Sequence, residues 1–216
     1  MAVIAINGSP RKEWNTATLL SRTLEGAASV GAQTELVHLY DLTFKGCHSC
    51  FACKTVGGSS EGRCAARDDL TPILARIEKE AEAIVLGTPI YFGSMSGEMR
   101  SFMERLLFAP YAYSSPARSL FPRKIKAAII YTMNASEEQS VIRGYPPIFE
   151  FTEGYLRSIL GEAETFCCYD TLQFPDYAKV VAETMDPVAK LARREQVFPQ
   201  DCERAFELGR RIASRV

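Results

Sequence analysis

Residues 2–28 read AVIAINGSPRKEWNTATLLSRTLEGAA, and this stretch sets the fold. Ala2 to Asn7 is a short apolar run, the pattern of a strand buried on both faces. Thr16 to Ala28 carries apolar residues at helical spacing. The link between them is unusual in composition. Gly8 permits a sharp turn, and Ser9, Asn15 and Thr16 offer short hydrogen-bonding side chains. Arg11 adds a positive charge, and a helix beginning near Thr16 turns free N–H groups toward an anion. Such a link suits a phosphate. It is neither a Walker A sequence nor G-x-G-x-x-G, so triphosphate and dinucleotide readings are weak. The ordinary alternative is a capped helix start beside a solvated arginine, since Ser, Asn and Thr are common N-cap residues.

Outward from this unit the pattern repeats. Thr34 to Leu39 alternates like a half-buried edge strand. Asp68 and Asp69 precede LTPILARIEKEAEA, a helix with acidic capping. Ala83 to Gly87 predicts a central strand, and Met99, Phe102, Met103, Leu106 and Leu107 form the stripe of a buried helix face. Lys126 to Thr132 predicts another strand, followed by a helix near 149–160 and a strand near 163–169. The tail is helical from Pro187, with a break at Pro199 and a last helix from about Asp201. Strand–helix alternation at this period predicts an α/β fold, a doubly wound parallel sheet with right-handed crossovers. Residues 1–216 read as one domain, with a cysteine loop at 46–65 and a helical C-terminal extension from about 176. Residues 109–123, rich in Pro, Ser and aromatics, read as a long functional or interface loop.

Ligands of such sheets bind beyond the carboxyl ends of the strands, where the strand order reverses. The loop GTPIYFGSMSGEMRSF (87–102) should flank that point together with the phosphate loop. Thr88, Tyr91, Ser94 and the backbone around Phe92 and Gly93 could frame a flat ring. A tight turn with buried aromatics is the alternative.

Hydrophobic residues make up 47% of the 216 and charged residues 24%, ordinary for a globular chain. A formal net charge of -1 gives no reason to expect nucleic acid or an anionic membrane as partner. The N-terminus lacks signal-peptide character, and no apolar run is long enough to span a bilayer. These features predict a cytoplasmic protein, where thiols stay reduced. The seven cysteines then read as ligands or buried residues rather than disulfides. With only two histidines, hydrolytic acid–base chemistry is disfavoured.

Four cysteines fall in one loop, GCHSCFACKTVGGSSEGRC (46–64): Cys47, Cys50, Cys53 and Cys64. They could bind Zn²⁺, an iron–sulfur cluster or nothing. Structural zinc generally takes ligand pairs from separate knuckles, whereas three thiols in one short segment favour a cluster. Ten residues, KTVGGSSEGR, separate Cys53 from Cys64, and three glycines make them pliable. His48 reads as an exposed loop residue. Cys167 and Cys168 read as buried thiols on opposite faces of a strand, and Cys202 as a packing or surface residue. Trp14 is expected to pack on the first helix. Glu137, Glu138, Arg193 and Arg194 read as solvated helix positions.

The pair GSPRKEWNTATLL and TPIYFGSMSGEMRSFMERL resembles the NADPH-dependent FMN reductase family. With C-x2-C-x2-C and a later cysteine before a DDL helix start, the chain is similar to its iron–sulfur flavoprotein branch. The resemblance covers roughly residues 1–170 and implies a flavodoxin-like five-stranded parallel sheet, order 2-1-3-4-5, with helices on both faces. It implies FMN, with Ser9, Arg11, Asn15 and Thr16 on the phosphate. Pro89, Ile90, Tyr91, Phe92, Gly93 and Ser94 would run along the isoalloxazine, and Thr132, Met133 and Asn134 would touch its other side. Family members usually carry a glycine in that last loop, which TMNAS lacks. The resemblance further implies NAD(P)H as co-substrate, with hydride transfer to the flavin and electrons leaving to a quinone or flavin, or through a 4Fe–4S cluster on Cys47, Cys50, Cys53 and Cys64. It also implies a homodimer or homotetramer. Two other readings stay open: a non-enzymatic carrier fed by a ferredoxin-type donor, and a zinc-binding sensor.

Overall fold

A computed structural model describes residues 1–116 and 118–214. Five parallel strands form the sheet: β1 (Ala2–Asn7), β2 (Gln33–His38), β3 (Ala83–Tyr91), β7 (Lys126–Thr132) and β8 (Ala163–Cys168). Their order is β2-β1-β3-β7-β8, the flavodoxin-like order expected from the sequence. A two-residue strand, β4 (Ser94–Met95), folds back antiparallel on the end of β3.

The apolar runs are strands because both of their faces are covered. Val3, Ala5, Val85, Ala128 and Ile130 point to the layer of α1 (Asn15–Ser29) and the last helix, α7 (Phe198–Ala213). Ile4, Ile6, Ile84, Leu86 and Ile129 point the other way, to α2 (Leu70–Lys79), α3 (Gly97–Phe108) and α5 (Tyr145–Ile159). Residues i and i+2 of a strand share a face, so each short run feeds both cores. Fully burying each Val, Leu or Ile contributes on the order of 1.5–3 kcal/mol. Two further helices, α4 (Glu137–Ile142) and α6 (Pro187–Gln196), lie between these elements in the chain.

Several boundaries differ from expectation. β3 runs four residues past Gly87, because Thr88 and Pro89 still pair with Tyr131 and Thr132 of β7. The stretch 109–123 contains a small hairpin, β5 (Tyr111–Ala112) with β6 (Arg118–Ser119); Ala117 lies outside the described residues. Pro199 does not break the last helix. It sits in the first turn of α7, where its missing N–H is no loss. Asp69 precedes α2 without capping it; Asp68 instead accepts from the Leu70 N–H at 3.1 Å.

α1 and α7 cross at contact distance through two glycines. A Cβ on Gly26 would fall 1.9 Å from the Phe206 carbonyl oxygen, and one on Gly209 would fall 1.8 Å from that of Thr23. Backbone cannot yield as a side chain tip can. Gly26→Ala is therefore expected to cost ~2–3 kcal/mol by forcing the helices apart. Gly154→Ala, in an open position of α5, should instead stabilise by ~0.5–1 kcal/mol. Urea unfolding of both variants checks this; an unchanged Gly26→Ala midpoint would contradict the crossing.

Candidate functional site

The strand order reverses between β1 and β3, and two loops meet there. The Gly8 N–H donates to the Gly87 carbonyl at 2.8 Å. Ser96, 1% exposed, donates its hydroxyl to the Gly8 carbonyl at 2.6 Å and accepts from the Met99 N–H at 3.4 Å, capping α3. Its own N–H donates to Thr88 Oγ1 at 3.0 Å. Gly8 must be glycine: a Cβ there would meet Met99 Cβ at 2.8 Å.

The loop between β1 and α1 is held from below. The Ser9 N–H donates to Asn7 Oδ1, and the Ser9 hydroxyl accepts from the Arg11 N–H at 3.2 Å. Thr16 Oγ1 and Thr132 Oγ1 share a hydrogen bond of 2.7 Å, joining this loop to the end of β7. Asn15 Nδ2 and Trp14 Nε1 both donate to the Leu172 carbonyl, and Arg11 donates to that of Gln173. Trp14 thus anchors to the segment after β8, not to the first helix. The Arg11 guanidinium stands 5.4 Å from the Trp14 ring centre. At the N-terminus of α1, Trp14 occupies the cap position and no side chain accepts a hydrogen bond there. The capped-helix alternative is therefore not what forms. The loop's polar side chains brace one another, and the first-turn N–H groups remain directed beyond the sheet edge.

Opposite stands the second loop, which is a hairpin. Pro89, Ile90 and Tyr91 end β3, Ser94 begins β4, and Phe92 and Gly93 form the two-residue turn. Both turn residues have positive φ, 48° and 81°, as a type I′ turn requires. Phe92 is fully exposed at the tip and Tyr91 is 43% exposed. The alternative of a tight turn with buried aromatics is not what forms. A bulky residue in the left-handed region costs about 1–2 kcal/mol, and such strain gathers at ligand sites.

The third loop faces inward. Thr132 is buried against Thr16, and Met133 is buried in the core, where its carbonyl accepts from Thr171. The Asn134 carbonyl accepts from Lys190 Nζ at 2.8 Å, and the Asn134 side-chain oxygen has no partner among the described residues. Lys190 and Arg194 went unseen as site-edge residues because a basic helix tail reads as solvated. Arg194 instead donates to Asn15 Oδ1 at 2.9 Å and lies over the Phe198 ring at 4.0 Å. Arg193, 12% exposed, pairs with buried Asp201, to which Cys168 Sγ also donates at 3.2 Å. Burial pushes the Cys168 thiol well above its ordinary range, fitting the expected inert thiol. Glu137 and Glu138 are exposed in the first turn of α4, as expected.

The cysteine loop leaves the same sheet edge. Cys47, Cys50, Cys53 and Cys64 line one cavity, closed by Arg105 and Phe108 of α3 and by Ala109 just after it. All four are free thiols. Ser49 and Phe51 adopt left-handed φ of 57°, and Phe51 leads directly into a 3-10 turn at Ala52–Lys54. A left-handed residue followed by right-handed ones is the backbone pattern of an anion-binding nest. The insertion returns on itself: the Gly62 N–H donates to the Cys53 carbonyl at 3.0 Å, bringing Cys64 back to the other three. Burial pushes the Cys53 thiol up, with Lys54 opposing the shift. Lys54 Nζ donates to the carbonyls of Phe108, Ala109 and Tyr111, fixing the loop to the end of α3. Among the described residues no group of three or more His, Cys, Asp or Glu is placed to hold a metal ion; the four cysteines are brought together as lining of the same small cavity. His48 is exposed, as expected, and lines the rim of the same cavity. A groove of about 540 Å³ runs from Met95, below the hairpin, to Cys47 and Ser49.

The family model for NADPH-dependent FMN reductase matches residues 1–151. The chain belongs to that family. An iron–sulfur flavoprotein of Methanocaldococcus jannaschii is 41% identical over 105 residues, 49% of this chain and 51% of that protein. One from Archaeoglobus fulgidus is 39% identical over 105 residues, 49% of this chain and 48% of that protein. The chain thus spans about half the length of the curated relatives it matches. An NAD(P)H:quinone oxidoreductase from Methanothermobacter marburgensis superposes with a TM-score of 0.72 over 97% of this chain and 98% of that one, at 16% identity. An archaeal flavodoxin gives 0.50 over 99% and 96%, also at 16%. At such identity the likeness is one of fold, and it is the flavodoxin-like fold.

Phe92→Asn should raise stability by ~0.5–1 kcal/mol, since Asn tolerates the left-handed region and no burial is lost. Thermal unfolding checks this; a lower midpoint would show that Phe92 packs in solution.

Proposed function

We propose that this chain is an FMN-dependent oxidoreductase that takes electrons from NAD(P)H and delivers them to a small acceptor such as a quinone or flavin, or through a 4Fe–4S cluster held by Cys47, Cys50, Cys53 and Cys64. One observation carries the reading. The 15-residue helix α1 begins uncapped at the point where strand order reverses, facing a strained and exposed aromatic hairpin. An uncapped helix start beside Arg11 suits a dianionic phosphate. The hairpin suits a flat ring, with Gly93 allowing close approach.

In this reading Ser9, Arg11, Asn15 and Thr16 form the phosphate cradle. Arg11 supplies charge, while Asn15 and Thr16 fix the loop through Leu172 and Thr132. Pro89 to Ser94 line the isoalloxazine, and Thr132, Met133 and Asn134 bound its far side. FMN, when bound, supplies the two-electron chemistry with a nicotinamide, so no acid–base triad is required. Four cysteines lining one cavity fit the donor set of an iron–sulfur cluster.

The exposed apolar side chains of α4 and α5 support self-association into a dimer or tetramer. Val141, Ile142, Phe151 and Tyr155 are 55–76% exposed, and this face adjoins the hairpin, because Tyr145 lies 3.3 Å from the Cβ position of Gly93. Sedimentation of Phe151→Asp should show a smaller species than wild type; a wild-type monomer would refute the assembly.

The function is tested by binding and turnover together. FMN should bind more tightly than riboflavin, and Arg11→Ala should weaken FMN about 10–100-fold while leaving riboflavin unchanged. Loaded protein should oxidise NADPH or NADH with a quinone as acceptor. Equal affinity for both flavins would overturn the phosphate cradle. Tight FMN binding without nicotinamide oxidation would replace the enzyme with an electron carrier.

A further inference from the structure

Arg105 sits mid-helix in α3 among Met99, Phe102, Met103 and Leu106, and its side chain is 1% exposed. Removing a guanidinium from water is costly unless its donors are matched. Its Nη1 donates to Asp68 Oδ2 and to the Lys45 carbonyl, the latter at 3.2 Å. Those contacts grip both flanks of the cysteine loop. They leave two features unexplained. Nε donates to Cys64 Sγ at 3.3 Å, and Nη2 is buried with no partner among the described residues. The same side chain lines the cavity shared by Cys47, Cys50, Cys53 and Cys64.

We propose that Arg105 is the positioning residue of the metal centre: it holds Cys64 in place as the fourth ligand and sets the reduction potential of the cluster through a fixed positive charge and an N–H···S bond. This rests on the proposed reading of the four cysteines as cluster ligands. Cys64 is the ligand most in need of such a hold, since ten residues separate it from Cys53. Reduction adds negative charge to a cluster and its ligand sulfurs. A neighbouring cation and a hydrogen bond to sulfur both favour that state and raise the potential. Arginine suits the task because it stays charged and its planar fork serves Asp68, Lys45 and Cys64 at once; lysine cannot reproduce that fork. Asp68 is the countercharge and acts in the opposite sense.

The test is an EPR-monitored redox titration of anaerobically prepared holoprotein, with the flavin midpoint in the same sample as internal reference. Iron and acid-labile sulfide are assayed on each variant. Arg105→Gln should shift the cluster midpoint to more negative potential and leave the flavin midpoint in place, while Arg105→Lys should restore part of the shift. Asp68→Asn removes the other anchor without touching sulfur, and should shift the cluster midpoint in the positive direction. A merely structural Arg105 would make Arg105→Gln and Asp68→Asn alike, so shifts of the same sign, or no shift in a fully loaded Arg105→Gln, would overturn the assignment. Should Arg105→Gln fail to fold, the sign of the Asp68→Asn shift decides. Iron-free wild type would refute the cluster reading itself, an outcome distinct from an unmoved potential.

Discussion

The hydrogen bonds about Gly8 are the constraint on which the rest depends. One residue donates to β3 through its N–H and accepts from Ser96 through its carbonyl. Its missing Cβ lets Met99 and the start of α3 close onto the end of β1. That contact brings the phosphate loop and the aromatic hairpin side by side at the reversal of strand order, where the sheet leaves room for a ligand. The bracing polar residues below it, Asn7, Thr16, Asn15 and Thr132, are satisfied by protein partners. The loop between β1 and α1 is therefore ordered by contacts within the chain, and such preorganisation would lower the cost of binding a ligand there.

The cysteine loop follows similar logic with different chemistry. Its backbone is bent by left-handed residues at Ser49 and Phe51 and by Gly57 and Gly62. Lys54 and Arg105 pin it to α3 from opposite ends, each by several hydrogen bonds. Two cations at a set of thiols offset the charge that a loaded site would carry. Arg105 also lowers the Asp68 carboxyl: burial pushes that group up, but the guanidinium outweighs it and keeps the pair ionised.

Much of this was legible in the sequence. Unbroken apolar runs gave the central strands, and the Met99–Leu106 stripe gave α3, because periodicity reports burial directly. What escaped was set by long-range partners. β3 continues through Pro89 because β7 is there to pair with it. The hairpin at Phe92 needs two positive φ values, a turn type that Phe does not announce. Arg193, Arg194 and Arg105 read as solvent-facing or went unremarked, since a charge in a helix is ordinarily exposed; only the fold shows Asp201, Asn15 and Cys64 waiting for them. The glycine missing from TMNAS left the third loop undefined; Met133 turns into the core, and Lys190 takes the Asn134 carbonyl.

The most direct measurement is an absorption spectrum of anoxically purified protein, with flavin, iron and acid-labile sulfide quantified on the same sample. Bound FMN with about four irons and about four sulfides per chain is the result this account predicts. Protein that binds no FMN on reconstitution would contradict it outright, and FMN without iron or sulfide under reducing, iron-replete conditions would remove the cluster from it.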